Sequence, residues 1–110
     1  MEKLGTYDKF QGDLLARFLH KMADTPEGEG SMLDNTIVYY GTSNSKTHVN
    51  KNYPLMVAGG RNLGIRQGVF HNMVKSDAPL SNLLLTFLYL LDVPAKRFSD
   101  STGTMKEVLV

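Results

Sequence analysis

The segment that most constrains this chain is PLSNLLLTFLYLLDVP, residues 79–94, because it is apolar on most sides. Its pattern predicts a helix, with Asp77 or Ser81 capping the first amides, Pro79 in the first turn and Pro94 after the end. Each buried Leu or Phe stabilises a fold by roughly 1.5–3 kcal/mol, so this helix should anchor the core. Its remaining apolar face needs a partner surface. The expected core residues are Leu83, Leu84, Phe87, Leu88 and Leu91.

A second helical pattern runs from Tyr7 to Ala23. Large apolar residues recur there at helical spacing and charged residues fall on the other side, which predicts an amphipathic helix. His20 lies near its C-terminal end, where the helix dipole favours a cation, so we expect a surface residue. The apolar set is Phe10, Leu14, Leu15, Phe18, Leu19 and Met22, and the charged set is Lys9, Asp13, Arg17 and Lys21.

Two apolar runs, TIVYY at 36–40 and PLMVAGG at 54–60, are typical of strands covered on both faces. The predicted fold class is therefore α/β, with a small buried sheet packed by helices. Residues 61–75 carry glycines and are expected to form a β-ribbon or an irregular excursion instead of a helix, with His71 at a surface or edge position. The tail after a turn-forming SDSTG ends in an apolar stretch that could pack or add an edge strand.

Composition excludes several classes of protein. The 110 residues are 42% apolar, which fits one domain, residues 1–110. Twelve basic residues are scattered and the net charge is +1, so nucleic-acid binding is disfavoured. No apolar stretch approaches the roughly 20 residues of a membrane span, and the first residues lack the apolar core of a secretory signal. With no cysteine, only oxygen and imidazole ligands remain for a metal.

The segment GTSNSKTHVN, residues 41–50, lies between the two predicted strands. Loops at strand ends are where open α/β sheets usually place their chemistry. This loop offers hydroxyl, amide and imidazole groups but no carboxylate, so a Ser-His-acid triad is disfavoured. Taken from the residues alone, His48 is either an ordinary loop residue or a metal or catalytic group. Glu27 and Glu29, in the Gly-rich loop TPEGEGSMLDN, are expected to be solvated instead of binding a cation.

Three segments together resemble the C-terminal part of a bacterial family, domain of unknown function 1552. They are LDNTIVYYGTSNSKTHVNKNYPLMVAGG, APLSNLLLTFLYLLDVP and FSDSTGT, and the likeness runs from about Tyr7 to Thr104. Members of that family are much longer, so the chain resembles the C-terminal piece of a larger protein. The family is in turn distantly similar to the alkaline phosphatase and sulfatase superfamily, which implies the C-terminal part of that fold.

The superfamily resemblance implies a role for the loop at 41–50. His48 would take the place of a late metal-ligating histidine, and a neutral imidazole there suits a divalent ion. Where the superfamily has Asp-His-Gly, this chain has Thr-Ser-Asn-Ser, so two expected ligands are replaced. The nucleophile and first carboxylate ligands would precede this region. The remaining candidates for a ligand-binding loop are Thr42, Ser43, Asn44, Ser45 and Asn50.

These observations leave three hypotheses. In the first, the parent protein, either cytoplasmic or exported, is a metal-dependent hydrolase of phosphate or sulfate esters. This chain, inactive alone, contributes one side of its site. Alternatively, the chain is a non-catalytic module that binds a protein or ligand. Finally, its apolar faces and unpaired strand edges favour self-association as a homo-oligomer, unless the missing N-terminal part of the parent covers them.

Overall fold

The computed structural model describes residues 2–42, 54–73 and 75–110. Two α-helices flank two small antiparallel sheets, and three short 3-10 turns lie between or after them. The broad prediction of a mixed α/β chain is therefore confirmed. The elements are α1 (Glu2–Ala23), β1 (Pro26–Glu27), β2 (Gly30–Ser31), β3 (Ile37–Gly41), β4 (Leu55–Gly59) and α2 (Leu80–Leu90), with 3-10 turns at Leu33–Asn35, Arg61–Leu63 and Lys106–Val108.

Helix α1 confirms the amphipathic prediction and begins earlier than predicted, at Glu2 instead of Tyr7. The added turn contains Thr6, whose hydroxyl donates to the carbonyl of Glu2 at 3.0 Å. Lys9 and Asp13 form an exposed ion pair of 2.9 Å one turn apart. Met22 is the one buried residue of this helix, so most of its apolar side faces solvent.

The main sheet is a pair of antiparallel strands, β3 and β4, in a register from Ile37 opposite Gly59 to Gly41 opposite Leu55. The prediction that both strands are covered on both faces is wrong. Ile37 and Val38 are half-buried, whereas the last three residues of β3 and the first two residues of β4 are exposed. The prediction failed because an unbroken apolar run is typical of a strand that is covered on both faces. Among the described residues, no third strand and no second helix layer covers this pair of strands.

Helix α2 lies at the centre of the core. Leu83, Leu85 and Phe87 are buried, and the ring of Phe87 meets that of Tyr39 on β3 edge to face, with centroids 6.4 Å apart. This aromatic contact joins the helix to the sheet. Among the predicted core residues, Leu84 and Leu88 are only half-buried. Leu91 is 52% exposed, because it follows the last helical residue and points away from the packed side.

The ends of α2 differ from the predicted caps. Pro79 occupies the N-cap position and no side chain caps the first amides, so the capping roles predicted for Asp77 and Ser81 are wrong. At the other end, the amide of Val93 donates to the Leu88 carbonyl at 2.9 Å, and Asp92 adopts a left-handed φ of 56°. This is a Schellman ending, with Asp92 in the place that glycine usually takes.

Three polar residues on α2 hold the C-terminal segment. Ser81 donates to Asp100 at 2.7 Å, and the side-chain oxygen of Asn82 accepts from the amide of Thr102 at 2.8 Å. Thr86 is 0% exposed; its hydroxyl donates to the Asn82 carbonyl at 2.7 Å and accepts from the Met105 amide at 2.8 Å. We call Ser81, Asn82 and Thr86, with their partners in residues 100–105, the polar clamp.

The rest of the chain closes around this unit. Residues 61–73 form one 3-10 turn and otherwise irregular structure, as predicted. Ile65 is buried and pairs with Leu109 in an isolated antiparallel bridge. The amide of Arg66 donates to the Val108 carbonyl at 2.8 Å, and the amide of Val110 donates to the Gly64 carbonyl at 2.9 Å. The apolar tail therefore packs by strand-like pairing, which is one of the two outcomes its sequence indicated.

Replacing Asn82 with Ala should test the polar clamp. The change leaves the part-buried amide of Thr102 without its acceptor, and such a loss costs roughly 1–3 kcal/mol of unfolding free energy. Urea denaturation measures it. The matched control is Asn62→Ala, which removes an exposed bond of 2.9 Å to Asn35 and should cost at most about 0.5 kcal/mol. Equal losses in the two variants would contradict the role of the clamp.

Two glycine substitutions should have opposite effects on stability. A Cβ added at Gly12, inside α1, meets nothing within 4 Å, so Gly12→Ala should stabilise the chain by about 0.5–1 kcal/mol. Gly59 has a φ of +79°, and a Cβ there collides with the carbonyl oxygen of Thr36, so Gly59→Ala should destabilise it. Thermal unfolding followed by circular dichroism measures both, and a stabilised Gly59→Ala variant would refute the assigned backbone.

Candidate functional site

The predicted ligand-binding loop begins at the end of β3. Thr42 follows this strand directly and is exposed. The other predicted site residues lie outside the described residues: Ser43, Asn44, Ser45, His48 and Asn50. The metal-ligating role of His48 therefore stays a prediction. Because β3 and β4 are antiparallel, only β3 presents its carboxyl end at this edge, so the edge differs from the parallel sheets in which neighbouring strands end together.

A groove of about 410 Å³ lies beside this edge, between α1 and the adjoining ends of β3 and β4. Its walls are largely apolar, and the polar side chains on them are those of Asp8, Tyr40 and Thr42. One carboxylate and two hydroxyls can orient a polar group, but a metal ion needs more ligands than these. The complete lining is Asp8, Leu15, Tyr40, Gly41, Thr42, Pro54, Leu55 and Met56.

Other titratable candidates are dispersed. His20 is exposed in the last turn of α1, as predicted, and His71 is half-buried in the irregular segment. Glu27 and Glu29 are both exposed, in agreement with the prediction that water solvates their carboxylates. Across residues 2–42, 54–73 and 75–110, no three His, Cys, Asp or Glu side chains come together in a way that could hold a metal ion.

Asp34 has the most organised polar surroundings of any carboxylate described. Its Oδ2 accepts from the backbone amide of Ser31 at 3.0 Å and from the Ser31 hydroxyl at 3.2 Å, and that hydroxyl accepts from the Asp34 amide at 3.3 Å. The guanidinium of Arg61 lies 3.9 Å away. The hydrogen bond from the Ser31 amide has the largest effect and lowers the pKa of Asp34 below its ordinary value. Burial opposes it with the second-largest effect, and the Ser31 hydroxyl and Arg61 add smaller lowering effects.

Sequence reasoning missed this carboxylate. The signal was the Ser-x-x-Asp spacing of SMLD, which is typical of reciprocal capping between a hydroxyl and an acidic side chain. Gly30 belongs to the same arrangement, because a Cβ there would lie 2.7 Å from the Asp34 carboxylate. The bonds of Asp34 all go to neighbouring elements, so its role is to connect β2, the Leu33–Asn35 turn and Arg61 rather than to act on a ligand.

Asp34 should contribute a pH-dependent part of the stability. Its folded pKa is lowered, so its contribution is complete above the unfolded value of 3.8 and is lost as pH falls through the folded value. Asp34→Asn should therefore destabilise the chain at pH 7 and less so in acid. Urea unfolding at several pH values measures this; Asp24→Asn, an exposed matched change, should give no such trend. An Asp34→Asn effect that grows in acid would contradict the argument.

Comparison with known proteins leaves the family open. No protein-family profile, no curated protein and no solved structure matches this chain. The resemblance to domain of unknown function 1552 and to the alkaline phosphatase and sulfatase superfamily therefore stays a prediction from the sequence.

Proposed function

We propose that this chain forms one side of a larger α/β domain of the alkaline phosphatase and sulfatase type and is not catalytic by itself. In this proposal its role is to complete the fold and the site of a longer polypeptide. The supporting observation is the amount of apolar surface that the chain leaves in contact with solvent.

The total accessible surface, polar and apolar together, is also large for a chain of this length. The chain exposes 8527 Å², whereas a compact monomer of this size exposes about 6,100 Å². Its radius of gyration is 15.4 Å, against about 13 Å for a compact domain of 110 residues. The difference exceeds the roughly 1,000 Å² that each partner contributes to the smallest obligate interfaces. An additional covering polypeptide would account for it.

The exposed apolar residues are concentrated, which also supports a covered surface. They form one stretch along α1, a second at the ends of β3 and β4, and a third from the last turn of α2 onward. Phe70, in the irregular segment, is 88% exposed. Large contiguous apolar patches mark interaction sites in folded proteins. The second stretch contains Tyr39, Tyr40, Leu55 and Met56, and the third contains Tyr89, Leu91, Val93 and Phe98.

The catalytic part of the proposal rests on the sequence resemblance. His48 would bind a divalent ion in the parent protein, and the metal would act there as a Lewis acid on a phosphate or sulfate ester. The described residues near Thr42 do not fit a complete metal site, since Asp8 is the one carboxylate lining the groove. The parent would supply the other ligands and the nucleophile, so no step of the reaction is assigned to this chain alone.

A second candidate is a non-catalytic module that binds a protein or ligand, or associates with copies of itself. The replacement of the expected Asp-His-Gly by Thr42 and the Ser-Asn-Ser that follows favours it, because these side chains are weaker metal ligands. The same exposed apolar surface serves either function. The two candidate functions differ in whether the loop at residues 41–50 binds a metal ion and takes part in catalysis.

The 110-residue chain should not hydrolyse p-nitrophenyl phosphate or p-nitrophenyl sulfate with Zn²⁺, Mg²⁺, Ca²⁺ or Mn²⁺ present. The reason is that one imidazole and one nearby carboxylate cannot assemble a metal-activated nucleophile. Release of p-nitrophenol measures activity, and His48→Ala is the matched variant. Turnover that His48→Ala abolishes would contradict the claim of an inactive chain.

The parent-level claim has its own test. Metal content of the full-length protein, measured by mass spectrometry, should fall in the His48→Ala variant, while His20→Ala, at an exposed histidine of α1, should retain the metal. Equal metal content in wild type and His48→Ala would favour the non-catalytic module.

A further inference from the structure

We infer that the exposed apolar face of α1 is a docking surface for an amphipathic helix of another polypeptide that carries carboxylates along one border. This inference rests on the proposed function in one respect: both require that another polypeptide covers the exposed apolar surface. It names the chemistry of the partner.

The apolar face runs along most of α1. Its residues are between 42% and 63% exposed, whereas Leu15 and Leu19 are half-buried and Met22 is buried on the side of α1 that faces the rest of the chain. At 3.6 residues per turn, the exposed residues form one stripe beside that packed side. We call this stripe the α1 face; it consists of Leu4, Tyr7, Phe10, Leu14 and Phe18.

One border of the α1 face carries three basic residues. Lys3, Arg17 and Lys21 lie within about 40° of one another around the helix axis, on the same side as Phe10. All three are exposed, and none forms an ion pair within the described residues. Lys9, by contrast, points to the opposite side and pairs with Asp13. The basic border extends about 27 Å from Lys3 to Lys21, so it can pair with several carboxylates along a partner helix.

The spacing of the α1 face indicates that the partner is a helix. Leu4, Tyr7, Leu14 and Phe18 follow the three-and-four spacing of positions a and d in a heptad, with Gln11 between them. Such a seam accepts the apolar ridge of a second helix. Charges bordering a seam of this kind select the partner through opposite charges.

A second copy of this chain is a poor occupant. In an antiparallel pair of α1 helices, the same borders face each other, so Lys3 of one copy would approach Arg17 of the other. In a parallel pair, the basic border would face the side of α1 that carries Leu15 and Met22, and that side already faces the rest of the same chain, where Leu15 lines the groove beside β3 and β4. Like charges in close contact cost binding energy, so an acidic partner fits better than a copy.

A lipid surface is also a poorer occupant. Interfacial helices carry Lys and Arg around the polar face so that both borders meet anionic headgroups. Here only one border is basic, and the other carries Asp8 and adjoins the body of the chain.

The size of the α1 face sets the expected affinity. Its three aromatic rings, each with roughly 150–250 Å² of surface, are all more than half exposed. With the two leucines, the face is smaller than the roughly 800 Å² per partner of a stable complex. A single helix should therefore bind weakly, with a dissociation constant in the micromolar range.

Two synthetic helical peptides of about three heptads test the inference on the 110-residue chain. Both carry the same Leu stripe; one has Glu and the other has Lys at the bordering positions. Fluorescence anisotropy of labelled peptide at about 0.05 M salt should show at least tenfold tighter binding of the Glu peptide. The ratio should shrink severalfold at about 0.5 M salt, because exposed charges are then screened.

Charge-reversed variants sharpen the test. Lys3→Glu/Arg17→Glu/Lys21→Glu should reverse the preference, so that the Lys peptide binds more tightly. The matched control Lys75→Glu/Lys96→Glu/Lys106→Glu has the same change in net charge at exposed positions elsewhere and should keep the preference for the Glu peptide. Phe10→Ser should weaken both peptides. Unchanged circular dichroism shows that the variants remain folded, since every substituted side chain is exposed.

Three results would overturn the inference. The first is equal affinity for the two peptides at low salt, or the same preference in the reversed and control variants. The second is binding to vesicles of phosphatidylcholine and phosphatidylserine with neither peptide bound, which would assign the face to a membrane. The third is a dimer in sedimentation that Phe10→Ser dissociates, which would assign it to a second copy. Ester hydrolysis by the chain would contradict the proposed function and leave the peptide result standing.

Discussion

The polar clamp between α2 and the C-terminal segment is the interaction on which the rest of this structure depends. Thr86 has no exposed surface, and its hydroxyl is used both as a donor and as an acceptor. A buried hydroxyl without partners would cost folding free energy, so its bonds to Asn82 and Met105 fix the position of the tail. No buried side-chain polar atom lacks a partner in the part of the chain that the structure describes. With the tail held there, its apolar end reaches Ile65 and closes the core.

The clamp also explains how so small a core is sufficient. The buried apolar residues are Met22, Ile65, Leu83, Leu85 and Phe87. The two turns of α2 that bury the leucines also bury hydrogen-bonding groups, so the tail is attached by directed hydrogen bonds as well as by apolar contact. Those bonds hold one side of α2 and leave α1, the strand ends and the segment after α2 open. The open apolar surface is therefore a consequence of where the internal contacts are made, and it is the feature from which the proposed role in a larger assembly follows.

The functional proposals depend on different kinds of evidence. The resemblance to a longer hydrolase-like family depends on sequence segments, and its central residue, His48, lies outside the described residues. The α1 face depends on exposure and on the arrangement of charges around one helix. The two can fail separately, because a helix-docking surface requires no catalytic loop and a metal-ligating histidine requires no helix partner.

Local pattern was enough to predict the two helices, the two main strands and the irregular segment between β4 and α2, because helical and strand periodicities are properties of neighbouring residues. It was also enough to predict that His20, Glu27 and Glu29 are exposed. Burial was decided only by the tertiary structure. Leu91 and Tyr40 are as apolar as the residues of the core, yet they are exposed, whereas Asn82 and Thr86 are polar and buried. The hydrogen-bond partners of Asn82 and Thr86 lie about 20 residues away in the sequence. Only the folded chain brings these donors and acceptors within hydrogen-bonding distance.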